Sequence, residues 1–316
     1  MQEVIMTVGF PASGKSSKWQ EHMRSGLSYT HISRDKEGGR TLGLLPKLEK
    51  VLEKKWSAVL DCTFMQADKR KPFIELCQKY NVPIRCLWMA TSAEDCQINA
   101  LHRMMDKYGK LFLDKESLLE VKDDPNMFPI SVIFMMNKEF EKPLKEEGFS
   151  EVIKQKFIRT FNPKFTNKAI FLDYDGTLRE TAPDGNGKYP VKPSEVIVRP
   201  NAAKVLERYM KDGYRLLGVS NQSGIGKGDL THQDAKDCFD ETNRQLGIDI
   251  EYSYCPHTVP PVKCYCRKPQ AGMGIHYIWK YNLDVRKCVF CGDMTSDKTF
   301  ATRLGIKFIH ADEFFR

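Results

Sequence analysis

Two groups of residues in this 316-residue chain have the types and spacing needed to handle phosphate. The first is Gly-x-x-x-x-Gly-Lys-Ser over residues 9–16. Its backbone N–H groups can wrap a triphosphate, Lys15 can reach the β and γ phosphates, and the Ser16 hydroxyl can ligate magnesium. The second is Asp-Tyr-Asp-Gly-Thr-Leu over residues 173–178, whose paired carboxylates could form and break an aspartyl phosphate. A chain with both groups could add a phosphate at one site and remove one at the other.

The residues around the first motif predict the strand, loop and helix that it requires. Residues 3–8 are apolar enough for a buried parallel strand, and we expect a helix from Ser16. This context favours a nucleoside triphosphate site over the alternative, a glycine turn beside a surface lysine. The residues expected to bind ATP are Gly9, Ser13, Gly14, Lys15, Ser16 and Ser17.

Further polar residues follow predicted strands in the first half. Asp61 ends the apolar strand 57–60, where a carboxylate would face the phosphates across a crevice, unless it caps a helix. Asp35 follows a short strand and is our candidate for the carboxylate that activates or orients an acceptor hydroxyl. Asn99 and Arg103 fall one turn apart on a predicted helix, and such an arginine can stabilise transition-state charge on the γ-phosphate. Taken singly, an arginine of this kind could instead be a surface charge on an amphipathic helix.

A polar segment containing a proline, residues 161–167, separates the two halves. We place the boundary near residue 163, which gives domains 1–162 and 163–316. A buried strand is predicted just after it, over residues 168–172, and the second motif follows directly. Asp173 is suited to attack phosphorus, while Asp175 can protonate the leaving oxygen and later activate water.

The Asp-x-Asp-Gly-Thr motif after a buried strand resembles the haloacid dehalogenase-like phosphatases, and the other parts of that family follow in order. The resemblance implies phosphate binding by four residues at later strand and loop positions, namely Ser220, Asn221, Arg267 and Lys268. Asp293 begins an Asp-x-x-x-Asp motif like the acidic motif of the family, so magnesium ligands are expected from Asp173, the backbone at Asp175, and Asp293. The gaps between these motifs are too short for a cap domain, so the site is expected to be open.

Three thiols and one imidazole fall within a short loop of the second half: Cys255, His257, Cys264 and Cys266. This set suits a tetrahedral zinc site, the alternative being scattered free cysteines. The loop is similar to the zinc loop of bacterial heptose-bisphosphate and histidinol-phosphate phosphatases. The zinc would be structural, holding the loop that presents Arg267 and Lys268. Cys288 and Cys291 lie in an apolar strand and are predicted to be core residues.

The first-half motifs, together with Phe-Glu-x-Pro-x-x-x-Glu-Gly-Phe at residues 140–149, resemble the kinase domain of polynucleotide kinase/phosphatases. The resemblance extends over nearly the whole chain. It implies an α/β fold with two domains, a P-loop NTPase-type parallel sheet followed by a Rossmann-like phosphatase domain without a large cap. It also implies Asp35 as general base on a 5′-hydroxyl, Arg103 as a lid arginine, and an acceptor nucleotide near three residues, Arg34, Asp61 and Thr63.

Composition agrees with this organisation. The apolar fraction of 41% and charged fraction of 28% are those of a globular protein, and the length suits two domains. No apolar run approaches membrane-spanning length and the first residues lack signal-peptide features, so we expect a cytoplasmic or nuclear protein with no membrane partner. Ten cysteines then indicate reduced thiols or a metal site, and the net charge of +8 suits a polyanionic partner such as nucleic acid.

The sequence therefore predicts a bifunctional end-healing enzyme that uses ATP, Mg²⁺ and a structural Zn²⁺ on DNA or RNA strand ends. It would combine a 5′-hydroxyl kinase with a 3′-phosphatase. One alternative is a small-molecule kinase fused to a sugar-phosphate or histidinol-phosphate phosphatase, which the zinc loop favours. Another is a non-catalytic nucleic-acid-binding scaffold, which the intact catalytic residues disfavour.

Overall fold

The computed structural model describes residues 2–183 and 189–316. The chain forms two compact units. The first comprises the residues up to Ala100 together with Val121–Arg159, and the second comprises Leu101–Glu120 with Thr160–Arg316. The second unit thus includes a segment of the first half, which a single boundary near residue 163 does not anticipate.

The first unit is built on a parallel sheet with the strand order β2-β3-β1-β4-β5. Its strands are β1 (Val4–Val8), β2 (Tyr29–Ser33), β3 (Ser57–Asp61), β4 (Ile84–Met89) and β5 (Glu151–Gln155). Its helices are α1 (Lys15–Lys18), α2 (Arg34–Glu37), α3 (Leu45–Glu53), α4 (Ala67–Lys79), the first half of α5 (Ala93–Tyr108), and α6 (Ile130–Glu139). Short 3-10 helices lie at Trp19–His22, Thr41–Leu44 and Lys145–Glu147.

Strand β1 is covered on both faces, as expected for the centre of a parallel sheet. Val4, Met6 and Val8 belong to one hydrophobic cluster, whereas Ile5 belongs to another. Along the strand order of the sheet, the connection from β1 to β2 runs in one direction and the connection from β3 to β4 runs in the opposite direction. This reversal opens a crevice at the carboxyl ends of β1 and β3, where ligands of such sheets bind.

The second unit has a parallel sheet with the order β10-β9-β6-β11-β12. Its strands are β6 (Ala169–Leu172), β9 (Arg215–Asn221), β10 (Glu251–Cys255), β11 (Val289–Gly292) and β12 (Lys307–His310), with a separate antiparallel pair β7 (Arg179–Thr181) and β8 (Val196–Val198). Its helices are α7 (Ala202–Lys211), α8 (Ser223–Lys227), α9 (His232–Leu246), α10 (Gly272–Lys280), α11 (Thr295–Leu304) and α12 (Ala311–Phe314). Further 3-10 helices lie at Ser117–Val121, Pro193–Glu195 and Val285–Lys287.

The predicted α/β class with two parallel sheets is confirmed. The α-helix after the glycine loop is shorter than expected, because α1 ends at Lys18 and the chain continues as a 3-10 helix. Cys288 and Cys291 are buried in the core, as predicted. Across the described residues, no helix combines the length and the apolar character that crossing a membrane demands.

Candidate active sites

The glycine loop of the first unit lies at the crevice between β1 and β3. Gly9 has φ 153°, and a Cβ there would lie 3.0 Å from Met89 Cβ and 2.9 Å from Ser13 Oγ, so glycine is required. Asn99 Nδ2 donates to the Ala12 carbonyl at 2.9 Å, and Thr91 Oγ1 donates to the Ser13 carbonyl at 2.9 Å. These bonds tie two carbonyl groups of the loop to α5 and to the segment between β4 and α5.

The interior of the loop fits a phosphate group. Ser13 Oγ is buried and has no hydrogen-bond partner among the described residues. Lys15 Nζ donates to the carbonyls of Gly9 at 3.0 Å and Phe10 at 2.7 Å. Burial lowers the pKa of Lys15, although the carboxylates of Asp61 and Asp35 act against this. An anionic phosphate would give Ser13 Oγ a hydrogen-bond partner and would give the Lys15 ammonium an opposite charge.

Asp61 lies directly beside this loop. Its Oδ2 accepts from Ser16 Oγ at 2.9 Å and is 3.1 Å from His31 Nε2. The parallel register of β2 and β3 brings the ends of these strands together, with Ser33 opposite Asp61. Magnesium prefers such hydroxyl and carboxylate oxygens, so Ser16 and Asp61 could hold it together.

The remaining residues predicted for this site are placed as follows. Asp35 is half-exposed in the first turn of α2, 3.9 Å from the Arg34 guanidinium. Thr63 contributes its backbone carbonyl, which accepts from Gly9 N–H at 3.0 Å. Arg103 lies on α5, four residues beyond Asn99, in the part of the helix that belongs to the second unit. The acceptor-binding role of Arg34, Asp61 and Thr63 and the lid role of Arg103 therefore stay predictions.

The distinctive pattern at residues 140–149 is a structural clamp rather than part of the phosphate site. Glu147 forms two 2.7 Å hydrogen bonds with the guanidinium of Arg70, which is fully buried on α4. Glu141 Oε2 accepts from the Ala67 N–H at 2.7 Å at the start of the same helix. The clamp fixes α4 against the segment that leads into β5.

In the second unit, three carboxylates converge at the carboxyl ends of β6 and β11. Asp173, Asp293 and Asp297 each offer an oxygen, and these atoms all lie within 4.8 Å of one another. Lys268 Nζ lies 2.6 Å from Asp173 Oδ1 and 2.8 Å from Asp297 Oδ1. Gly176, with φ 82°, admits Asp293, since a Cβ there would lie 2.4 Å from its Oδ2.

This cluster fits a divalent cation. Burial raises the pKa of Asp173 to about 7, with Lys268 acting against the shift and Asp297 adding to it. Burial and the charge of Asp297 likewise raise the pKa of Asp293. Three carboxylates with one lysine leave an excess of negative charge, and hard oxygen donors suit magnesium. Asp297 was not among the predicted magnesium ligands. It lies four residues after Asp293, in the first turn of α11, and its carboxylate is part of the cluster.

The Asp175 carboxylate lies outside the cluster. Its Oδ1 accepts from Arg179 Nε at 2.8 Å and its Oδ2 accepts from Gln222 Nε2 at 2.8 Å. Any contribution of Asp175 to a metal would therefore come through its backbone, as predicted from the resemblance. Sequence reasoning assigned no role to Arg179 or Gln222, although both lie within two residues of a predicted strand end or motif.

Ser220, Asn221 and Lys268 meet at the end of β9. Asn221 Oδ1 accepts from the Lys268 N–H at 2.9 Å and its Nδ2 donates to the Lys268 carbonyl at 3.0 Å. The Asn221 amide thus holds the backbone of Lys268, and its binding of phosphate stays a prediction. Arg267 Nη1 donates to the His257 carbonyl at 3.2 Å. This bond ties the Arg267 side chain to the cysteine loop, residues 255–266.

The four predicted zinc ligands come together. Cys255 Sγ is 3.7 Å from Cys264 Sγ and 3.3 Å from Cys266 Sγ. His257 Nδ1 is 3.4 Å from Cys255 Sγ and 3.3 Å from Cys266 Sγ. A zinc tetrahedron with ordinary bond lengths has ligand–ligand edges of about 3.5–3.8 Å. The four distances, 3.3–3.7 Å, come within about 0.5 Å of these edges, so a small movement of the side chains would let the set hold the ion.

A segment of the first half supports this loop within the second unit. The Tyr265 N–H donates to the Leu113 carbonyl at 2.6 Å, and Asp114 Oδ2 is 3.7 Å from His257 Nε2. Trp279 Nε1 donates to His102 Nδ1 at 2.9 Å. The sequence carried no sign of this contact, because Asp114 lies far from the cysteines along the chain.

Comparisons with known proteins match the two halves of the chain to different families. Residues 4–124 match the model of an AAA domain, and residues 168–315 match that of polynucleotide kinase 3 phosphatase. A probable D-glycero-D-manno-heptose-1,7-bisphosphate 7-phosphatase of Thermoplasma volcanium is 37% identical over 146 residues, which are 45% of this chain and 96% of that protein. The histidine biosynthesis bifunctional protein HisB of Legionella pneumophila is 32% identical over 147 residues, covering 45% of this chain and 40% of that protein.

Two solved structures are also similar. A chain of the Pnkp1/Rnl/Hen1 RNA repair complex aligns with 98% of this chain and 95% of its own length, at 16% identity and a TM-score of 0.32. The D,D-heptose 1,7-bisphosphate phosphatase of B. bronchiseptica, in complex with magnesium and phosphate, aligns with 45% of this chain and 79% of its own length, at 25% identity and a TM-score of 0.40. The chain joins an N-terminal AAA domain to a haloacid dehalogenase-like phosphatase domain, and its residues 168–315 belong to the polynucleotide kinase 3 phosphatase family.

Proposed function

We propose that this chain is a bifunctional end-healing enzyme, an ATP-dependent 5′-hydroxyl polynucleotide kinase joined to a polynucleotide 3′-phosphatase. The observation that carries the proposal is the presence of two intact and chemically complementary sites in one chain. One has the loop, lysine and Asp61 expected for phosphoryl donation from ATP, and the other has the Asp173 nucleophile expected for phosphate removal. Together they would convert 5′-hydroxyl and 3′-phosphate ends into ligatable ones.

In the kinase half, the loop N–H groups and Lys15 would hold the triphosphate of ATP. Magnesium, held by Ser16 and Asp61, would neutralise phosphate charge. Asp35, whose charge opposes the lowering of the Lys15 pKa, would accept the proton of the 5′-hydroxyl as that oxygen attacks the γ-phosphorus. The bond from the γ-phosphorus to the bridging oxygen of the β-phosphate would break, and ADP would leave. The lid arginine of this half would be Arg103, as the resemblance implies.

In the phosphatase half, an oxygen of Asp173 would attack phosphorus while the leaving oxygen takes a proton from Asp175. Ser220 and Lys268 would hold the phosphate oxygens, and Arg267 would add positive charge at the rim. Magnesium held by Asp173, Asp293 and Asp297 would supply positive charge to the phosphate. Water that loses its proton to Asp175 would then release inorganic phosphate and restore Asp173.

The two stretches of chain between the phosphatase motifs are short, which would suit a large substrate. Between Asp175 and Ser220 the described residues form only β7, β8, α7 and a 3-10 helix, and between Ser220 and Lys268 only α8, α9, β10 and the cysteine loop. Neither stretch contains a cap domain among the residues that the structure describes. A phosphatase site without a cap domain could receive the end of a nucleic-acid strand, and the net charge of +8 favours a polyanion.

The zinc of the cysteine loop would be structural in this proposal. Cys255, His257, Cys264 and Cys266 would fill a tetrahedral coordination shell and leave no position for substrate. The loop ends at Arg267 and Lys268, so the ion would fix the residues that hold the phosphate.

The test uses two single-stranded oligonucleotides, one DNA and one RNA, each with 5′-hydroxyl and 3′-phosphate ends. They are incubated with the protein, ATP and Mg²⁺, and both ends are read by mass spectrometry. We expect gain of a 5′-phosphate and loss of the 3′-phosphate, and the two rates compare DNA with RNA directly. If neither end of either strand changes, the proposal is wrong.

Matched variants assign each activity to its own site. Lys15→Met should abolish 5′ phosphorylation and spare 3′ dephosphorylation, whereas Asp173→Asn should do the reverse. Each variant thus serves as the folding control for the other. Loss of both activities in either variant, with the fold intact, would contradict two separate sites.

A second function is favoured by one observation, the 37% identity to a probable heptose-bisphosphate phosphatase over almost its whole length. In that case the second unit would hydrolyse a sugar phosphate or histidinol phosphate, and the first would phosphorylate a small molecule. Heptose 1,7-bisphosphate and histidinol phosphate are assayed beside the 3′-phosphorylated strands. A higher kcat/KM for either small molecule would replace our proposal for the phosphatase half.

A further inference from the structure

Arg179 follows the catalytic motif and turns back onto it. The Arg179 N–H donates to the Tyr174 carbonyl at 3.0 Å, and the Arg179 carbonyl accepts from the Gly176 N–H at 2.9 Å. The loop therefore places the Arg179 guanidinium next to Asp175, where its Nε donates to Oδ1 at 2.8 Å. The Arg179 side chain is 1% exposed and that of Asp175 is 19% exposed, so water reaches this charged contact only from the Asp175 side.

The rest of the guanidinium is fixed by the core. Its Nη1 donates to Thr242 Oγ1 on α9 at 3.0 Å. Its carbon lies 4.8 Å from the ring centre of Phe239 and 5.3 Å from that of Tyr174. A planar guanidinium packed in this way has little freedom to rotate, and its direction fixes the plane of the Asp175 carboxylate.

Gln222 holds the other oxygen of the same carboxylate. Its Nε2 donates to Asp175 Oδ2 at 2.8 Å and to Ser220 Oγ at 2.9 Å. Because Ser220 Oγ accepts this bond, its own O–H is left to donate toward a phosphate. A single network thus sets the direction of the acid and of a phosphate-binding hydroxyl.

We propose that Arg179 is the positioning residue for acid–base catalysis by Asp175 in the phosphatase half. The inference rests on the phosphatase part of the proposed function and is independent of the nucleic-acid substrate. In the first step, a bond forms between Asp173 and phosphorus, the bond from phosphorus to the leaving oxygen breaks, and that oxygen takes the proton of Asp175. In the second step, water gives a proton to Asp175 and attacks phosphorus, so that the Asp173–phosphorus bond breaks and inorganic phosphate leaves.

This role predicts a dependence on the leaving group. p-Nitrophenolate leaves readily without a proton, whereas the alkoxide of p-nitrobenzyl alcohol must be protonated as it departs. Values of kcat/KM contain only the steps up to formation of the aspartyl phosphate, so they isolate the protonation step. General acid catalysis contributes about 10²–10⁴-fold.

The experiment measures kcat/KM of the full-length Arg179→Met and Arg179→Lys variants on p-nitrophenyl and p-nitrobenzyl phosphate with Mg²⁺. We expect Arg179→Met to lower the value for p-nitrobenzyl phosphate about 100-fold and that for p-nitrophenyl phosphate less than tenfold. Arg179→Lys should recover part of the difference, because it restores a charged donor without the planar fork. Binding of Mg·ADP to the first unit, together with circular dichroism, reports folding.

Two further variants separate positioning from packing. Thr242→Val removes the hydrogen bond that Arg179 Nη1 donates to Thr242. Because this bond helps to hold the guanidinium, the variant should lower the value for p-nitrobenzyl phosphate more than that for p-nitrophenyl phosphate, but by less than Arg179→Met does. In an Asp175→Asn background, Arg179→Met should cause little further loss on p-nitrobenzyl phosphate. An equal fall for both substrates in Arg179→Met, or a full additional loss in the double variant, would overturn the proposal. If Asp173→Asn still hydrolyses p-nitrophenyl phosphate, the phosphatase mechanism itself fails, whatever Arg179 does.

Discussion

The pair between Arg70 and Glu147 gives the sharpest stability prediction for the first unit. The Arg70 side chain is 0% exposed and that of Glu147 is 16% exposed. Removing one partner of such a pair leaves a buried charge without its counter-ion, which costs about 3–5 kcal/mol. We therefore expect Glu147→Gln to lower the free energy of unfolding of this unit substantially.

The magnitude follows from the contacts. Arg70 Nε and Nη2 each donate to one Glu147 oxygen at 2.7 Å, while Nη1 donates to the carbonyls of Phe64 at 3.0 Å and Glu141 at 3.1 Å. A glutamine keeps one acceptor oxygen and turns an NH₂ group toward the guanidinium. Because water reaches part of Glu147, we expect the lower end of the range, about 3 kcal/mol, which corresponds to a fall in Tm of about 10 °C for a unit of this size.

The assay is urea unfolding, monitored by hydrogen exchange and mass spectrometry. This readout resolves peptides of α4 from peptides of the second unit. Glu146→Gln is the matched control, because Glu146 is the exposed neighbour and should change stability by less than about 0.5 kcal/mol. The double variant Arg70→Met/Glu147→Leu should recover most of the loss, since an apolar pair of similar volume leaves no charge unpaired. The reasoning is refuted if Glu147→Gln and Glu146→Gln behave alike, or if the double variant is as unstable as the single one.

Three further outcomes are expected. Asp114→Asn should retain the fold but release zinc to a chelator about 10–100-fold more readily, as measured by competition with a chromogenic chelator. Asn221→Leu should lower phosphatase kcat by at least about tenfold, because the Lys268 backbone loses two hydrogen bonds. Nucleotide binding to the first unit should be unchanged. Steady-state kinetics measures kcat, and titration with Mg·ADP measures nucleotide binding. Burial opposes ionisation of Glu3, but hydrogen bonds, chiefly from Arg85, lower the pKa of Glu3 below its usual 4.5. The ionised Glu3 therefore stabilises the fold above pH 4.5, and this stabilisation is lost as the pH falls through the pKa of Glu3 in the folded protein. Glu3→Gln should therefore flatten the acid side of the stability curve in urea titrations, and an unchanged slope would contradict this assignment.

Much of the fold could be predicted from local sequence. Apolar runs that end in a glycine loop or an aspartate occur at β1, β3, β6 and β11, and each predicted strand is present within a few residues. Such signals are local, because a buried parallel strand must be apolar along its length and its polar residues must fall at its end. The same reasoning selected the glycine loop, the aspartate pair of the second motif and the four residues that we predict to bind zinc.

The partners of these residues could not be predicted in this way. Nothing in the spacing of Asn221 and Lys268 says whether the amide will bind phosphate or the lysine backbone. The structure decides this because β9 ends beside the cysteine loop, so that the two residues meet. The buried pair of Arg70 and Glu147 is likewise 77 residues apart along the chain.

The sequence by itself determined the two phosphate chemistries and the order of the elements that carry them, because glycine conformations and strand-end carboxylates are properties of short segments. The tertiary structure alone decided that Asp61 contacts Ser16, that Asp297 rather than the Asp175 carboxylate joins the acidic cluster, and that residues 101–120 belong to the second unit. These outcomes depend on which strands lie side by side and on where buried side chains find partners. Such contacts join residues distant in the chain, and their geometry exists only after the sheets have formed.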